Sequence, residues 1–202
     1  MASVTKILAF AGSGRKDSFN KKLVKVAAEG AREAGAEVTV IDLADYPMPI
    51  YDGDLESSEG LPENAKKLKQ IFLEHQGLLV ASPEYNSSIS PLLKNAIDWV
   101  SRPEPGQPPL VCYDMKVVGL MAASPGLLGG LRGLVTVRSI FGSIKCTVIP
   151  EQVAVSKAGD AFNADGTLKD EKQSASVKNI GARVAEFASK LHGTELKQVA
   201  RA

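Results

Sequence analysis

The chain has few cysteines, few histidines and no long apolar run, and each shortage argues against a class of protein. It contains two cysteines and two histidines among 202 residues. Cys112 and Cys146 form neither a Cys-x-x-Cys pair nor a thiol-phosphatase loop, which disfavours metal, thiol-redox and phosphatase functions. No run of about 18 apolar residues could cross a membrane, and no secretory segment opens the chain. We therefore expect a cytoplasmic protein.

Neither sign of charge is in excess. The 24 basic and 23 acidic residues give a net charge of +1, and they are dispersed along the chain. Such a balance predicts no surface for nucleic acid or membrane. A hydrophobic content of 44% is enough to bury a substantial core, so we expect one domain spanning residues 1–202. Any binding site must then be formed by a small group of residues and not by an extended charged surface.

Apolar strand-like segments alternate with helical patterns, which predicts a parallel sheet with helices on both faces. The expected fold is α/β, a flavodoxin-like three-layer sandwich whose five-stranded parallel sheet has the order 2-1-3-4-5. That order places the ligand crevice between strands one and three. The predicted strands are Val4 to Ala11, Glu37 to Leu43, Gly77 to Ala81, Lys116 to Ala122 and Lys145 to Ile149.

Two further expectations concern segments outside the strands. The last helix is predicted to bury a stripe made of Val177, Ile180, Val184, Phe187 and Leu191. The stretches from Asp45 to Gly60 and from Gly159 to Asp170 are expected to be surface loops.

The segment from Gly12 to Asn20 joins the first predicted strand to a helix and has the composition of a phosphate-binding loop. Backbone N–H groups that open a helix are unpaired and carry partial positive charge, which stabilises a phosphate. Arg15 adds a full charge, while Ser13, Ser18 and Asn20 can donate hydrogen bonds to phosphate oxygens. An ordinary Gly/Ser turn with a capping serine is the alternative.

The loop lacks the residues of the two best-known phosphate motifs. Asp17 stands where a dinucleotide fingerprint has its third glycine, and the Gly-Lys-Ser/Thr of a nucleoside-triphosphate loop is missing. Hydroxyls, an amide and one arginine suit a single terminal monophosphate. FMN is the leading candidate.

A second polar segment, Pro83 to Ser90, follows the third predicted strand. Ser90-Pro91 predicts an N-cap followed by proline at the first helical position. A rigid turn that exposes backbone N–H and C=O groups beside Tyr85 suits the edge of a planar heteroaromatic ring. Trp99, in the helix that follows, is interpreted as a core residue.

Together these motifs resemble the NADPH-dependent FMN reductase family, which includes bacterial quinone and chromate reductases. The resemblance is carried by the segments 12–20, 83–86 and 94–99, and it extends to the loop 124–130 and the turn Asp165-Gly166. It departs from the family at Ser88 to Pro91, where relatives often have glycine before the isoleucine and proline directly after it.

The resemblance implies roles for individual residues. Ser13, Arg15, Ser18 and Asn20 would hold the FMN phosphate, with Phe19 in the same loop. The flavin ring and ribityl chain would be lined by the second loop and bordered by the third. These residues are Pro83, Glu84, Tyr85, Asn86, Ser87, Ser124 and Gly126.

The expected activity is an NAD(P)H oxidoreductase that passes hydride from NADPH or NADH through FMN to a quinone, flavin or metal oxyanion such as chromate. No protein nucleophile or metal is required, since FMN carries the redox chemistry. His75 and His192 end helices and are interpreted as structural. An electron carrier of the flavodoxin type and a nonredox phosphate-binding module are the alternatives, although flavodoxin carriers are typically acidic. The resemblance also implies a homodimer or homotetramer.

Overall fold

The structure is a computed structural model that describes residues 3–197. Five parallel strands form one sheet of order β2-β1-β3-β4-β5, which confirms the predicted fold class and strand order. Residues 1–2 and 198–202 of the predicted domain lie outside the described residues. The strands are β1 Lys6–Ala11, β2 Glu37–Asp42, β3 Gly77–Ala81, β4 Val117–Ala123 and β5 Thr147–Val155.

Alternate residues of the strands point to opposite faces of the sheet and build two cores. From β1, Ile7 and Ala9 enter the core under α1 and α7, whereas Leu8 and Phe10 enter the core under α3, α4 and α5. The helices are α1 Phe19–Glu33, α2 Gly53–Glu59, α3 Glu63–Leu73, α4 Pro91–Val100, α5 Leu131–Ser143, α6 Ala158–Ala161 and α7 Glu171–His192. The described residues include no helix that is long and apolar enough to span a membrane.

The helices α1 and α7 cross at very short range because each contributes a glycine. A Cβ added to Gly30 would lie 2.0 Å from the carbonyl oxygen of Lys178, and one added to Gly181 would lie 1.9 Å from that of Ala27. Any larger residue would push the helices apart. This packing fixes α1, whose N-terminus follows the predicted phosphate-binding loop.

The fifth strand runs to Val155, six residues beyond the predicted end at Ile149. The strand continues through Pro150 because β5 lies at the sheet edge, where proline is tolerated. The register with β4 shifts between Val118 and Leu120, and pairing resumes at Gln152. The guanidinium of Arg138 binds the carbonyl of Ile149 and the side chain of Gln152, which stabilises the bulge.

Two other expectations were wrong in part. Near the C-terminal end of α7, Phe187 and Leu191 are 36% and 41% exposed, whereas Ala185 and Ala188 are fully buried. Phe187 packs under the Arg183 guanidinium, which lies 4.6 Å from its ring centroid. The stretch 45–60 contains α2, which the Asp52 carboxylate caps by accepting from Asp54 N and Leu55 N.

Candidate functional site

Three loops meet at the carboxyl edge of the sheet, where the central strands end. We call them the first loop (residues 12–18, after β1), the second loop (82–90, after β3) and the third loop (124–130, after β4). Because β1, β3 and β4 are neighbours in the sheet, their loops are adjacent. This is the edge at which open α/β sheets bind ligands.

The first loop is held against α4 by Gly12. Its N–H donates to the carbonyl of Ala81 at 2.9 Å. A Cβ at this position would lie 2.8 Å from the Cβ of Leu93, so only glycine fits without movement. The hydroxyl of Ser90 donates to the Gly12 carbonyl and accepts from Leu93 N, which confirms the predicted N-cap of α4 and joins the first loop to the second.

Beyond Gly12, the first loop has donors without protein partners. Arg15 is exposed and forms no ion pair with any described residue. Ser18 occupies the N-cap of α1, yet its hydroxyl makes no capping hydrogen bond. The first backbone bond at this end of α1 runs from Lys22 N to Ser18 O, so the amides of residues 19–21 remain available to an anion. Earlier in the loop, the Arg15 amide donates to Ser13 Oγ at 3.4 Å.

Two other residues of the predicted phosphate site turn toward protein. Asn20 is buried; its Nδ2 donates to the carbonyl of Ala123 at 2.9 Å, and its Oδ1 accepts from Ala123 N at 3.0 Å. The strand β3 ends at Ala81, opposite Met121, so the Asn20 amide pairs with β4 on the side that β3 no longer covers, while β5 continues to pair with Ala123 on the other side. Phe19 stacks on Phe162 with centroids 6.0 Å apart.

The second loop contains a two-residue hairpin turn. Tyr85 N donates to Ser88 O at 2.9 Å, and Ser88 N donates to Tyr85 O at 3.0 Å. Asn86 and Ser87, at its tip, have φ of 51° and 63°, the left-handed region required at both positions of a type I′ turn. The exposed tip leaves the peptide groups of these two residues available to the edge of a ligand. Pro83, two residues before the turn, is buried.

Glu84 joins the second loop to the start of α5. Its Oε1 accepts from Arg132 Nε at 2.9 Å, and its Oε2 accepts from Gly133 N at 3.1 Å. Burial raises the pKa of this carboxyl, but the bonds from Gly133 and Arg132 together outweigh burial and hold the pKa below its usual value. Arg132 and Gly133 were not foreseen, because nothing in the sequence pairs them with position 84.

The third loop is shaped by glycines. Gly129 and Gly130 have φ of 62° and 92°, and a Cβ at Gly129 would lie 2.7 Å from the backbone of Val155. Gly126 differs, since an added Cβ there would make only an ordinary contact of 3.5 Å with Ser124 Oγ. That oxygen accepts from Gly126 N at 3.2 Å, so the Ser124 hydroxyl stabilises the turn.

The motif 94–99 has a structural role. Asn95 Nδ2 and Trp99 Nε1 both donate to the carbonyl of Pro49, at 2.9 and 2.8 Å. Asn95 Oδ1 accepts from Tyr51 N. These bonds hold the segment after β2 on α4, and Trp99 is fully buried, as predicted.

A cleft that could be mistaken for the ligand site lies elsewhere. It has a volume of about 790 Å³ and runs along α1 between the end of β2 and the turn 164–167. Of the three loops, only residues 16–18 line it, and its five lysines face five carboxylates. With no net charge and no wall from the second or third loop, this cleft does not favour a phosphate, and we place the site where the loops meet.

The remaining candidates for chemistry lie away from the three loops. His75 is buried just before β3, at the opposite edge of the sheet. Its Nδ1 is hydrogen-bonded to Ile71 O, and its Nε2 is hydrogen-bonded to Thr39 Oγ1. Cys112 and Cys146 are buried free thiols, and burial raises the pKa of Cys146 to about 12. The described residues contain no cluster of ligands suited to a metal ion.

Comparison with known proteins agrees with the fold. The sequence pattern of NADPH-dependent FMN reductases matches residues 5–160. An NADPH:quinone oxidoreductase of Arabidopsis thaliana is 33% identical over 193 residues, covering 93% of this chain and 94% of that protein. An NAD(P)H-dependent FMN reductase of Pseudomonas aeruginosa is 33% identical over 174 residues, covering 85% and 89%.

Among solved structures, FerB, a flavoenzyme NAD(P)H:(acceptor) oxidoreductase of Paracoccus denitrificans, superposes with a TM-score of 0.78 at 26% identity. The superposition covers 93% of this chain and 98% of FerB. Family pattern, relatives and fold thus agree with the resemblance seen in the sequence. The chain belongs to the NADPH-dependent FMN reductase family.

Proposed function

We propose that the first loop binds the phosphate of FMN and that the second and third loops line its ring. The observation that carries this proposal is the presence of unpaired phosphate donors and an exposed hairpin turn at one edge of the sheet. The donor set fits a phosphate: Arg15 has no carboxylate partner among the described residues, and the Ser18 hydroxyl is not used as a cap. Both groups can bind a ligand without breaking a protein contact.

The residues that would contact the flavin ring keep their conformation without it. The turn at Asn86 and Ser87 presents peptide groups in a fixed conformation, and exposed Tyr85 stands beside it. On the other side, Ser124 and Gly126 form a small turn. Pro83, before the turn, is buried. When bound, FMN supplies two-electron redox chemistry, and these residues supply binding and orientation.

The activity we propose is the transfer of reducing equivalents from NADPH or NADH to a quinone, a flavin or a metal oxyanion such as chromate. Membership of the family supports NAD(P)H dependence and the quinone or flavin class of acceptor.

The test is to purify the protein, record the visible spectrum of any bound flavin, and add NADPH without oxygen. We expect flavin bound at one per chain, bleaching on NADPH addition, and return of colour when a quinone is added. A protein that binds flavin but is not bleached would be an electron carrier. Failure to bind flavin would refute the proposal.

Three features of the whole protein belong to the same proposal. We expect residues 1–202 to work as one domain. We also expect a homodimer or homotetramer, because apolar side chains stand exposed beside the third loop, among them Leu127 at 79% and Val135 at 67%. Light scattering that gives the mass of one chain would contradict this. A cytoplasmic location agrees with two free thiols and an NADPH supply.

A further inference from the structure

Three polar side chains join the three loops pairwise. Asn20, two residues beyond the first loop, pairs with Ala123 at the end of β4, and Ser90 in the second loop donates to Gly12 of the first. Glu84 in the second loop binds Arg132 and Gly133, which directly follow the third loop. Each bond crosses from one loop to the framework of another.

We propose that Glu84 and Arg132 are positioning residues that hold the second and third loops at the spacing a flavin ring requires. The proposal rests on the proposed function and assigns Glu84 a role other than direct contact with the cofactor. It concerns the ring end of the site alone, since neither residue contacts the first loop.

The geometry supports a fixed spacing. The side chain of Glu84 is only 10% exposed, and both of its oxygens are occupied, so it has little capacity left for a ligand. Arg132 approaches the same oxygen with two nitrogens, at 2.9 Å for Nε and 2.8 Å for the terminal nitrogen. Charged hydrogen bonds of this kind are directional as well as strong.

The packing around the pair transmits its position to the ring side of both loops. A Cβ on Gly133 would lie 3.2 Å from Ser88 O and 3.3 Å from Glu84 Cβ, so α5 begins directly against the base of the hairpin turn. Glu84 is one residue before that turn, and Arg132 is two residues after the third loop. Loss of the pair therefore frees the two loops to move relative to each other.

The experiment measures the affinity of the flavin-free protein for two ligands, FMN and riboflavin, by fluorescence titration. Riboflavin has the ring without the phosphate. We expect Glu84→Gln to weaken both ligands by the same factor, about tenfold, the value of one charged hydrogen bond. Arg15→Ala should weaken FMN but not riboflavin. Asp98→Asn, which breaks an exposed ion pair with Lys94 on α4, should change neither.

The partner residue gives a second set of variants. Arg132 is 61% exposed, so its replacement should leave the fold intact even if Glu84→Gln fails to fold. We expect Arg132→Met to weaken both ligands as Glu84→Gln does, and Arg132→Lys, which keeps the charge, to restore part of the affinity. A residue that only stabilises the fold would lower the melting temperature without changing the riboflavin affinity of the folded protein.

The outcomes separate this inference from the proposed function. If the wild-type protein binds neither ligand, the proposed function fails and this inference with it. If the wild type binds both and Arg132→Met stays within twofold of it for riboflavin, only the positioning role is overturned. A variant that loses FMN affinity but keeps riboflavin affinity would also overturn it, because the pair would then act at the phosphate.

Discussion

Replacing Asn20 by alanine should destabilise the protein even without flavin. The amide of Asn20 makes two buried hydrogen bonds to Ala123, and no strand can take its place because β3 has already ended. The change leaves one N–H and one C=O of the backbone unpaired. At about 1 to 3 kcal/mol for each buried unpaired group, we expect a loss of about 2 to 6 kcal/mol in the free energy of unfolding.

The assay is thermal and urea unfolding of flavin-free protein. For a chain of this length, each kcal/mol lowers the melting temperature by about 2 to 4 °C, so we expect a decrease of roughly 4 to 24 °C. Asn64→Ala is the matched control, since Asn64 makes one exposed bond to Pro47 O and its loss should cost less than about 1 kcal/mol.

The sequence suggested instead that Asn20 binds phosphate directly, and the same variant distinguishes the two roles. A phosphate ligand can be removed without loss of stability in the flavin-free state. If flavin-free Asn20→Ala is as stable as Asn64→Ala while its FMN affinity falls, the structural role assigned to Asn20 is refuted.

Three further predictions concern the charge of Arg15, the space around Gly126 and Gly129, and the protonation of His75. Arg15→Ala should weaken FMN binding about ten- to a hundredfold, more than Lys16→Ala, as measured by titration at fixed ionic strength; equal affinities would contradict this. Gly126→Val should fold, keep FMN and slow flavin reduction by NADPH in stopped flow, whereas Gly129→Val should lose stability because it adds a side chain at positive φ against backbone. An unchanged reduction rate per bound flavin would show that Gly126 does not border the reacting face. Burial chiefly lowers the pKa of His75, so the unfolded state takes up its proton first, and stability should fall as the pH drops below about 6.5; His75→Gln should show a shallower loss between pH 7 and 5 in urea unfolding.

The parallel sheet was predictable because it depends on a strong pattern, whereas the strand order came with the flavodoxin-like fold that the family resemblance implies. Alternating apolar runs and helical stripes indicate a parallel sheet, and the strand lengths were close for β2, β3 and β4. The end of β5 was not predictable, because Pro150 is compatible with a strand only at a sheet edge or a bulge, and β5 has both. Both features belong to the tertiary structure and cannot be read from the local sequence.

The site was predictable in part for a similar reason. Local chemistry located the first and second loops, and the N-cap at Ser90 follows from Ser-Pro at a helix start. The direction in which a polar side chain points depends on hydrogen-bond partners that are distant in the sequence. Asn20 finds Ala123, and Glu84 finds Arg132, across large separations in sequence. No periodicity in the chain encodes those pairings.

The most direct test of the central claim is an anaerobic titration of the purified, flavin-loaded protein with NADPH, followed by its visible spectrum. We predict that one NADPH per flavin removes the absorption of the oxidised flavin and that a quinone restores it. Arg15→Ala, loaded at low flavin concentration, should retain less flavin under the same conditions. A protein that holds no flavin, or whose flavin NADPH does not reduce, would contradict the account.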